Sequence, residues 1–285
     1  MKPAHVTFRQ LIARGELVRL AGAHSALGAV LAEQSGFDAI WSSSFEVSAA
    51  RCLPDASVLT MTEYLEAASR MQKALSIPVV ADCDTGYGNN LNVAHMVHEY
   101  EDAGITAACI EDKVYPKMNS FAEVQHSLLD TEAFARKLAV AKGAQRTDDF
   151  YLIARTEALI SGLGVDEALE RCNAYADAGA DAVLVHSKAR TEEQIVDFLD
   201  RWDGRCPVVV VPTTYPSWSA ADAAKRGVSA VVYANQGLRA TVKSLRETYQ
   251  EIYRAGTSLA IEDEIASVSE IFALQNLDEW QALEN

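Results

Sequence analysis

The sequence predicts an α/β fold of eight β/α units, an arrangement able to close into a (β/α)8 barrel. Three observations carry that expectation. Short β-rich runs recur along the chain, helical patterns separate them, and polar, chemically capable residues end nearly every run. Most runs are continuously apolar rather than alternating, as parallel strands covered on both faces should be.

In chain order, the first run, 17–22, leads into Gly22-Ala23-His24, and the second, 39–42, into Ser42-Ser43-Ser44. The third, 78–82, ends in Asp82-Cys83-Asp84, and the fourth, 107–111, in Glu111-Asp112-Lys113. The runs 150–155 and 181–186 end in Arg155-Thr156-Glu157 and His186-Ser187-Lys188. The last two, 207–211 and 229–233, lead to Pro212-Thr213 and Asn235-Gln236. Between them, helical periodicity is clearest over 92–103 and 165–178, each followed by a glycine that can leave the helix at positive φ. The texture EDAG, ADAG and AKRG before strands four, six and eight reads as one repeated unit. Such units need right-handed crossovers, and a barrel of eight gathers its strand ends on one rim, where active sites form.

Of 285 residues, 49% are hydrophobic, enough for one sizeable core, and no linker or break in composition divides the chain. A single catalytic domain over 1–285 is therefore expected. With 25 Lys and Arg against 40 Asp and Glu, the formal charge is −15. That surface repels phosphate backbones, so nucleic acid is excluded as an expected partner. A small anionic substrate stays compatible, because a divalent metal and a buried Arg can reverse the local field. Apolar runs such as PVVVVP are far short of a membrane span, and MKPAHVTFRQLIARGE has no secretory pattern. Cys52, Cys83, Cys109, Cys172 and Cys206 show no paired metal spacing and read as reduced thiols of a cytoplasmic protein.

Asp82 and Asp84 stand two apart at the end of the third run, and Glu111 ends the neighbouring one. Carboxylates with water suit Mg²⁺, so these three are the candidate metal ligands. A structural cap is the rival role for Asp82. DTGYGN supplies turning backbone at Gly86 and Gly88, without the spacing of a dinucleotide or Walker loop. Arg155 can clamp carboxylate or phosphoryl oxygens and His186 can donate to a developing anion; structural pairing with a carboxylate is the rival for each. Ser42–Ser44 can present successive N–H groups to an anion, and His24 fits a supporting donor.

The segments AGAHSALGAVLAEQSGFDAIW, DCDTGYGN, IEDKVYPKMNS, ARTEALISGLG, ADAVLVHSK, VVVPTTYP, VVYANQGLRA and ASVSEIFALQ together resemble the phosphoenolpyruvate mutase/isocitrate lyase superfamily, over roughly residues 5 to 275. The resemblance implies a TIM-type barrel whose C-terminal helices, near 240–285, are exchanged between subunits of a homotetramer. It implies that backbone donors of Ser43, Ser44 and Phe45 hold substrate oxygens, with Ser44 standing where mutases often have Gly. It places Asp55 beside the reacting group, Asp82, Asp84 and Glu111 at Mg²⁺, and Arg155 and His186 on the substrate. Lys117 and Asn119 fall in a mobile loop near 113–130 that closes over the site. PKMNS lacks the Cys and His of the lyase segment KKCGH, which disfavours carbon–carbon lyases. Lys-x-Asn-Ser resembles the mutases, whereas phosphonopyruvate hydrolases usually carry Thr at the position of Asn119. The continuation AEVQHSLLD departs from both. Reversible interconversion of phosphoenolpyruvate and 3-phosphonopyruvate is thus the expected activity. The alternatives are hydrolysis of phosphonopyruvate to pyruvate and phosphate, and a metabolite-binding barrel without catalysis.

Overall fold

A computed structural model of the chain describes residues 6–284. The first five residues of the N-terminal stretch and residue 285, both inside the single-domain expectation, lie outside the described residues. In chain order the first elements are α1 (Phe8–Ala13), β1 (Val18–Ala23), α2 (Ala26–Gln34), β2 (Ala39–Ser42), α3 (Ser44–Ala50) and α4 (Met61–Ala74). There follow β3 (Val79–Asp82), α5 (Asn90–Asp102), β4 (Ala107–Glu111), α6 (Thr131–Ala144), β5 (Tyr151–Thr156) and α7 (Gly164–Asp177). Next come β6 (Ala182–Val185), α8 (Glu193–Arg201), β7 (Val208–Val210), α9 (Ala220–Lys225) and β8 (Val228–Tyr233). The chain ends with α10 (Gln236–Ala255), α11 (Val268–Leu274) and α12 (Leu277–Ala282).

The eight strands form a closed parallel barrel in the order β1 to β8. Closure runs from Val18 opposite Ala230 to Ala21 opposite Tyr233, and the β7–β8 register shifts between Val208 and Val209. Alternate residues explain why the runs read as continuously apolar. Leu20, Trp41, Val80, Cys109, Ile153, Leu184, Val209 and Val232 fill the interior. Their neighbours Ala21, Ile40, Ala81, Ala108, Ile110, Leu152 and Ala154 face a helix layer built around Met71, Val97, Tyr100 and Phe134. Both faces are dry, so neither alternates with polar residues. At the end where the strands begin, α1 contributes Phe8, edge-on to Tyr151, and Arg9 bonds the Phe150 carbonyl and Asp181.

The helices begin and stop where local chemistry says they should. Asn89 caps α5 by accepting from the amides of Leu91 and Asn92, and Asn92 returns a bond to the Asn89 amide. Gly104 and Gly179, with φ of +80° and +96°, end α5 and α7 in the left-handed region that a side chain disfavours. At Gly22 the requirement is close approach. A Cβ there would lie 2.3 Å from the Ala234 carbonyl oxygen, so β1 and the end of β8 fit together only without it.

The described residues fall into two compact units that divide after Asn235. The second contains α10, α11 and α12. Val242, Leu245, Tyr249 and Tyr253 lie at helical spacing along α10, and all four are exposed. Among the described residues, no helix is long and apolar enough to cross a membrane.

Candidate active site

The C-terminal ends of the strands surround a cleft of about 540 Å³, open solvent at its mouth included. Ser43, Ser44, Phe45, Asp55, Asp82, Lys117, Asn119, Arg155 and His186 all line it, together with Trp41, Ser120, Phe121 and Asn235. Asp84 and Glu111 lie outside this lining, each only 2% exposed. His24 does not line the cleft; its Nδ1 is 3.7 Å from the buried Glu46 carboxylate.

The serine run is the start of α3 rather than a separate nest. Ser43 caps the helix by accepting from the Glu46 amide at 3.2 Å, so its hydroxyl is committed to structure. The first amides of a helix lack intrahelical acceptors, which leaves those of Ser44 and Phe45 at the cleft wall. The Ser44 hydroxyl donates to Asp82 Oδ2 at 3.1 Å. The β3 strand stops at Asp82, and the chain then turns with Asp84 at φ +50°. The Asp84 carbonyl accepts from the Glu111 amide at 2.7 Å, which ties this turn to the end of β4.

The loop between β4 and α6 supplies the next side chains. Its two ends meet through a bridge between Lys113 and Leu128. Lys117 Nζ lies 2.5 Å from Asp55 Oδ1 and 3.1 Å from Asp84 Oδ1. Asn119 Nδ2 donates to Asp55 Oδ2 at 2.7 Å, and the Lys117 amide donates to Ser57 Oγ at 3.0 Å. Both oxygens of Asp55 are therefore held by the loop.

Electrostatics at this rim favour an additional cation. Asp55, Asp82, Asp84, Glu111 and Glu157 stand among Lys113, Lys117 and Arg155, five formal negative charges against three positive. Burial pushes the Asp84 carboxyl up to about 7, with Asp82, Asp55 and Glu111 adding to the rise and Lys117 opposing it. Burial likewise raises Asp82, against Arg155 and Lys117. Burial alone would lower the Lys117 ammonium, but Asp84, Asp55 and Glu111 hold it well above its ordinary value. Both oxygens of Asp84 and Oε1 of Glu111 are buried and accept no hydrogen bond, and the ammonium groups of Lys117 and Lys113 stand beside Asp84 Oδ1 and Glu111 Oε1 as ion pairs only. Buried, unsatisfied, net-negative oxygens suit a hard divalent ion. Among the described residues, no three His, Cys, Asp or Glu side chains converge as a ready-made metal cage. The donor set instead fits an ion that keeps several waters.

Arg155, at the end of β5, places Nε 2.7 Å from Glu157 Oε1 and 3.2 Å from Glu111 Oε2. His186 Nδ1 lies 2.8 Å from both Arg155 Nη2 and Glu157 Oε1. Burial, and then Arg155, lower the His186 pKa, against Glu157, which favours the neutral ring. A neutral ring serves only one of these neighbours through Nδ1. With the proton on Nε2, Nδ1 accepts from Arg155 and the ring offers a donor to the cleft. Phe121 stands edge-on to His186, with ring centroids 5.7 Å apart.

A family model described as phosphoenolpyruvate phosphomutase matches residues 8–253. The chain belongs to the phosphoenolpyruvate mutase/isocitrate lyase superfamily. It is 43% identical to phosphonopyruvate hydrolase from Variovorax sp. (strain Pal2), over 97% of this chain and 96% of that one. It superposes on the crystal structure of phosphoenolpyruvate phosphomutase from Streptomyces platensis subsp. rosaceus with a TM-score of 0.96, 53% identity, and 97% and 96% of the two chains covered. A crystal structure of phosphonopyruvate hydrolase with oxalate and Mg²⁺ gives a TM-score of 0.92 at 42% identity, with the same coverage. Relatives with each of the two activities are thus similar along nearly the whole chain.

In this superfamily member, sequence reasoning left Glu157, Ser120 and Asp112 without roles. Glu157 is completely buried, yet the charges of Arg155 and Lys113 oppose burial and hold its carboxyl well below the ordinary range. Asp112 accepts from the Glu157 amide, Thr156 Oγ1, Tyr175 OH and Arg171 Nη1. Burial pushes the Asp112 carboxyl up to about 6 despite these donors. Arg-Thr-Glu at the end of a strand was the available signal for Glu157: residues two apart share a face.

Proposed function

We propose that this chain is a Mg²⁺-dependent phosphoenolpyruvate mutase, interconverting phosphoenolpyruvate and 3-phosphonopyruvate by intramolecular phosphoryl transfer. The observation that carries this reading is the double hold on Asp55 by Lys117 and Asn119. A carboxylate with an ammonium on one oxygen and an amide on the other is fixed in place and poorly suited to draw a proton from water. Rearrangement needs such positioning and needs water kept out, whereas hydrolysis needs a water admitted and aligned.

Asp82, Asp84 and Glu111 would hold Mg²⁺, partly through water, and the bound ion would supply positive charge to the carboxylate and enolate oxygens of the pyruvate unit. The amides of Ser44 and Phe45 would hold further substrate oxygens. Arg155, His186 through Nε2–H, and the second amide hydrogen of Asn119 would bind the phosphoryl oxygens. In the forward direction the P–O bond breaks and its electron pair stays on the enolate. C3 of the same enolate then supplies the pair for the new P–C bond, and no proton or water is consumed. A loose transfer of this kind asks the protein for alignment and electrostatic stabilisation, which donors fixed at the cleft wall provide. The same reading keeps 1–285 as one catalytic domain of a cytoplasmic homotetramer.

Hydrolysis of phosphonopyruvate to pyruvate and phosphate is the second reading, supported by the 43% identity to a hydrolase. Phosphorus NMR of the purified protein with Mg²⁺ and phosphonopyruvate separates the two. Phosphoenolpyruvate should accumulate, and chelating the metal should stop it. Free phosphate with no phosphoenolpyruvate would reject the mutase in favour of the hydrolase.

A further inference from the structure

Glu157 makes no contact that the proposed chemistry requires, yet the site is arranged around it. Its two carboxylate oxygens divide their partners by origin. Oε1 holds the barrel pair through Arg155, whose Nε donates to it at 2.7 Å while Nη2 donates to His186 Nδ1 at 2.8 Å. Oε2 meets the β4–α6 loop, accepting from Ser120 Oγ at 2.5 Å, with Lys113 Nζ at 3.0 Å. Lys113 Nζ also donates to Ser120 Oγ at 2.7 Å and to the Met118 carbonyl at 3.0 Å. Arg155 Nη2 reaches Ser120 Oγ at 3.1 Å, so the pair and the loop also touch directly. The Glu157 amide donates to Asp112, whose own carbonyl accepts from Leu129 at the far end of the loop.

We propose that Glu157 is a positioning residue that latches the β4–α6 loop, through Ser120 and Lys113, to the Arg155–His186 pair, so that the loop seats and the phosphoryl-binding groups align together. The role in phosphoryl binding rests on the function proposed above; the latch itself does not. A buried carboxylate held by three donors, Arg155, Ser120 and Lys113, is stable in one arrangement of them, because losing any one leaves charge or a donor unsatisfied in a low dielectric. When Ser120 departs, Oε2 loses its short bond and the Met118–Phe121 stretch loses its anchor to the barrel. When Arg155 swings away, Oε1 loses its cation and the latch loosens. Loop closure and readiness to bind a phosphoryl group are therefore one event. Without the latch, water reaches a half-assembled site.

Hydrogen–deuterium exchange without substrate tests the latch, and phosphorus NMR with Mg²⁺ and phosphonopyruvate tests its consequence. The proteins are the wild type, Ser120→Ala, Ser120→Thr, Glu157→Gln, Glu157→Asp, and Ser120→Ala combined with Glu157→Gln. Loss of a charge-assisted bond should speed exchange of amides in 114–128 by about tenfold or more in Ser120→Ala and Glu157→Gln. Protection of the barrel strands should not change. Ser120→Thr, which keeps the hydroxyl, should restore loop protection. The double variant should exchange no faster than Glu157→Gln, because both substitutions break one link. In turnover, Glu157→Gln should lower kcat and raise KM together, whereas a merely structural defect would lower the amount of active protein and leave KM alone. If Glu157→Gln fails to fold, Glu157→Asp, which keeps the charge but shortens the reach, takes its place in each comparison. Unchanged loop exchange in Ser120→Ala and the Glu157 variant, or effects that add in the double variant, would overturn the latch. Faster loop exchange in the variants, alongside a wild type that converts no phosphonopyruvate, would uphold the latch and reject only the proposed reaction.

Discussion

Asn119 donates one amide hydrogen to Asp55 and accepts the Phe121 amide at 3.0 Å, which leaves its second N–H for the cleft it lines. Asn119→Ala removes both the hold on Asp55 and that donor. An oriented donor in a dry site contributes on the order of 2–4 kcal/mol to the transition state. Turnover to phosphoenolpyruvate should therefore fall by roughly tens- to hundreds-fold. Mg²⁺ binding, followed by calorimetry, should survive. Asn119→Thr should lower the ratio of phosphoenolpyruvate formed to phosphate released from phosphonopyruvate. Equal rates and ratios in the three proteins, followed by time-resolved phosphorus NMR, would sink Asn119 as the discriminator. At this scale the sequence was informative wherever a residue type has few uses at a strand end, as with Asp82, Arg155 and His186. It was silent on Glu157, because a glutamate beside an arginine reads equally as a surface pair until its burial is known.

Elements were legible because their interiors are apolar on both sides. The β4 span Ala107–Glu111 agrees with its apolar run, and α5 and α7 lie within two residues of the periodic segments. Strand ends shifted where hydrogen bonding outlasts or falls short of the apolar run. β5 continues through Thr156, and β6 stops at Val185 so that His186 stands free of the ladder. The β1–β8 seam makes a further requirement at Gly22, which only the packed barrel reveals. Gly22→Ala forces a methyl against the Ala234 carbonyl and should destabilise the fold by about 1–3 kcal/mol. Urea unfolding measures this, and an unchanged midpoint would show that the seam yields without cost. Because Asn235 follows in the cleft wall, activity should drop with stability.

At the scale of the whole molecule, the apolar stripe of α10 and the exposed Val268, Phe272 and Trp280 of the last helices form more uncovered apolar surface than a solitary protein tolerates well. We expect a closed homo-oligomer, a tetramer by the family resemblance, with these helices buried between copies. Multi-angle light scattering at micromolar protein should find no abundant monomer; a persistent active monomer would reject the arrangement. The sequence by itself determined the eight β/α units, the polar rim and the types of residue on it. Apolar periodicity and strand-end chemistry are local properties, written in consecutive residues. Tertiary structure alone decided the barrel's closure in register, the turn that buries Asp84 behind the cleft, and the grip of Lys117 and Asn119 on Asp55. It also decided the burial of Glu157 between Arg155, His186 and the loop. The grip on Asp55 joins residues 64 positions apart and barrel closure pairs Val18 with Ala230, and no local pattern encodes which distant residue will lie beside which.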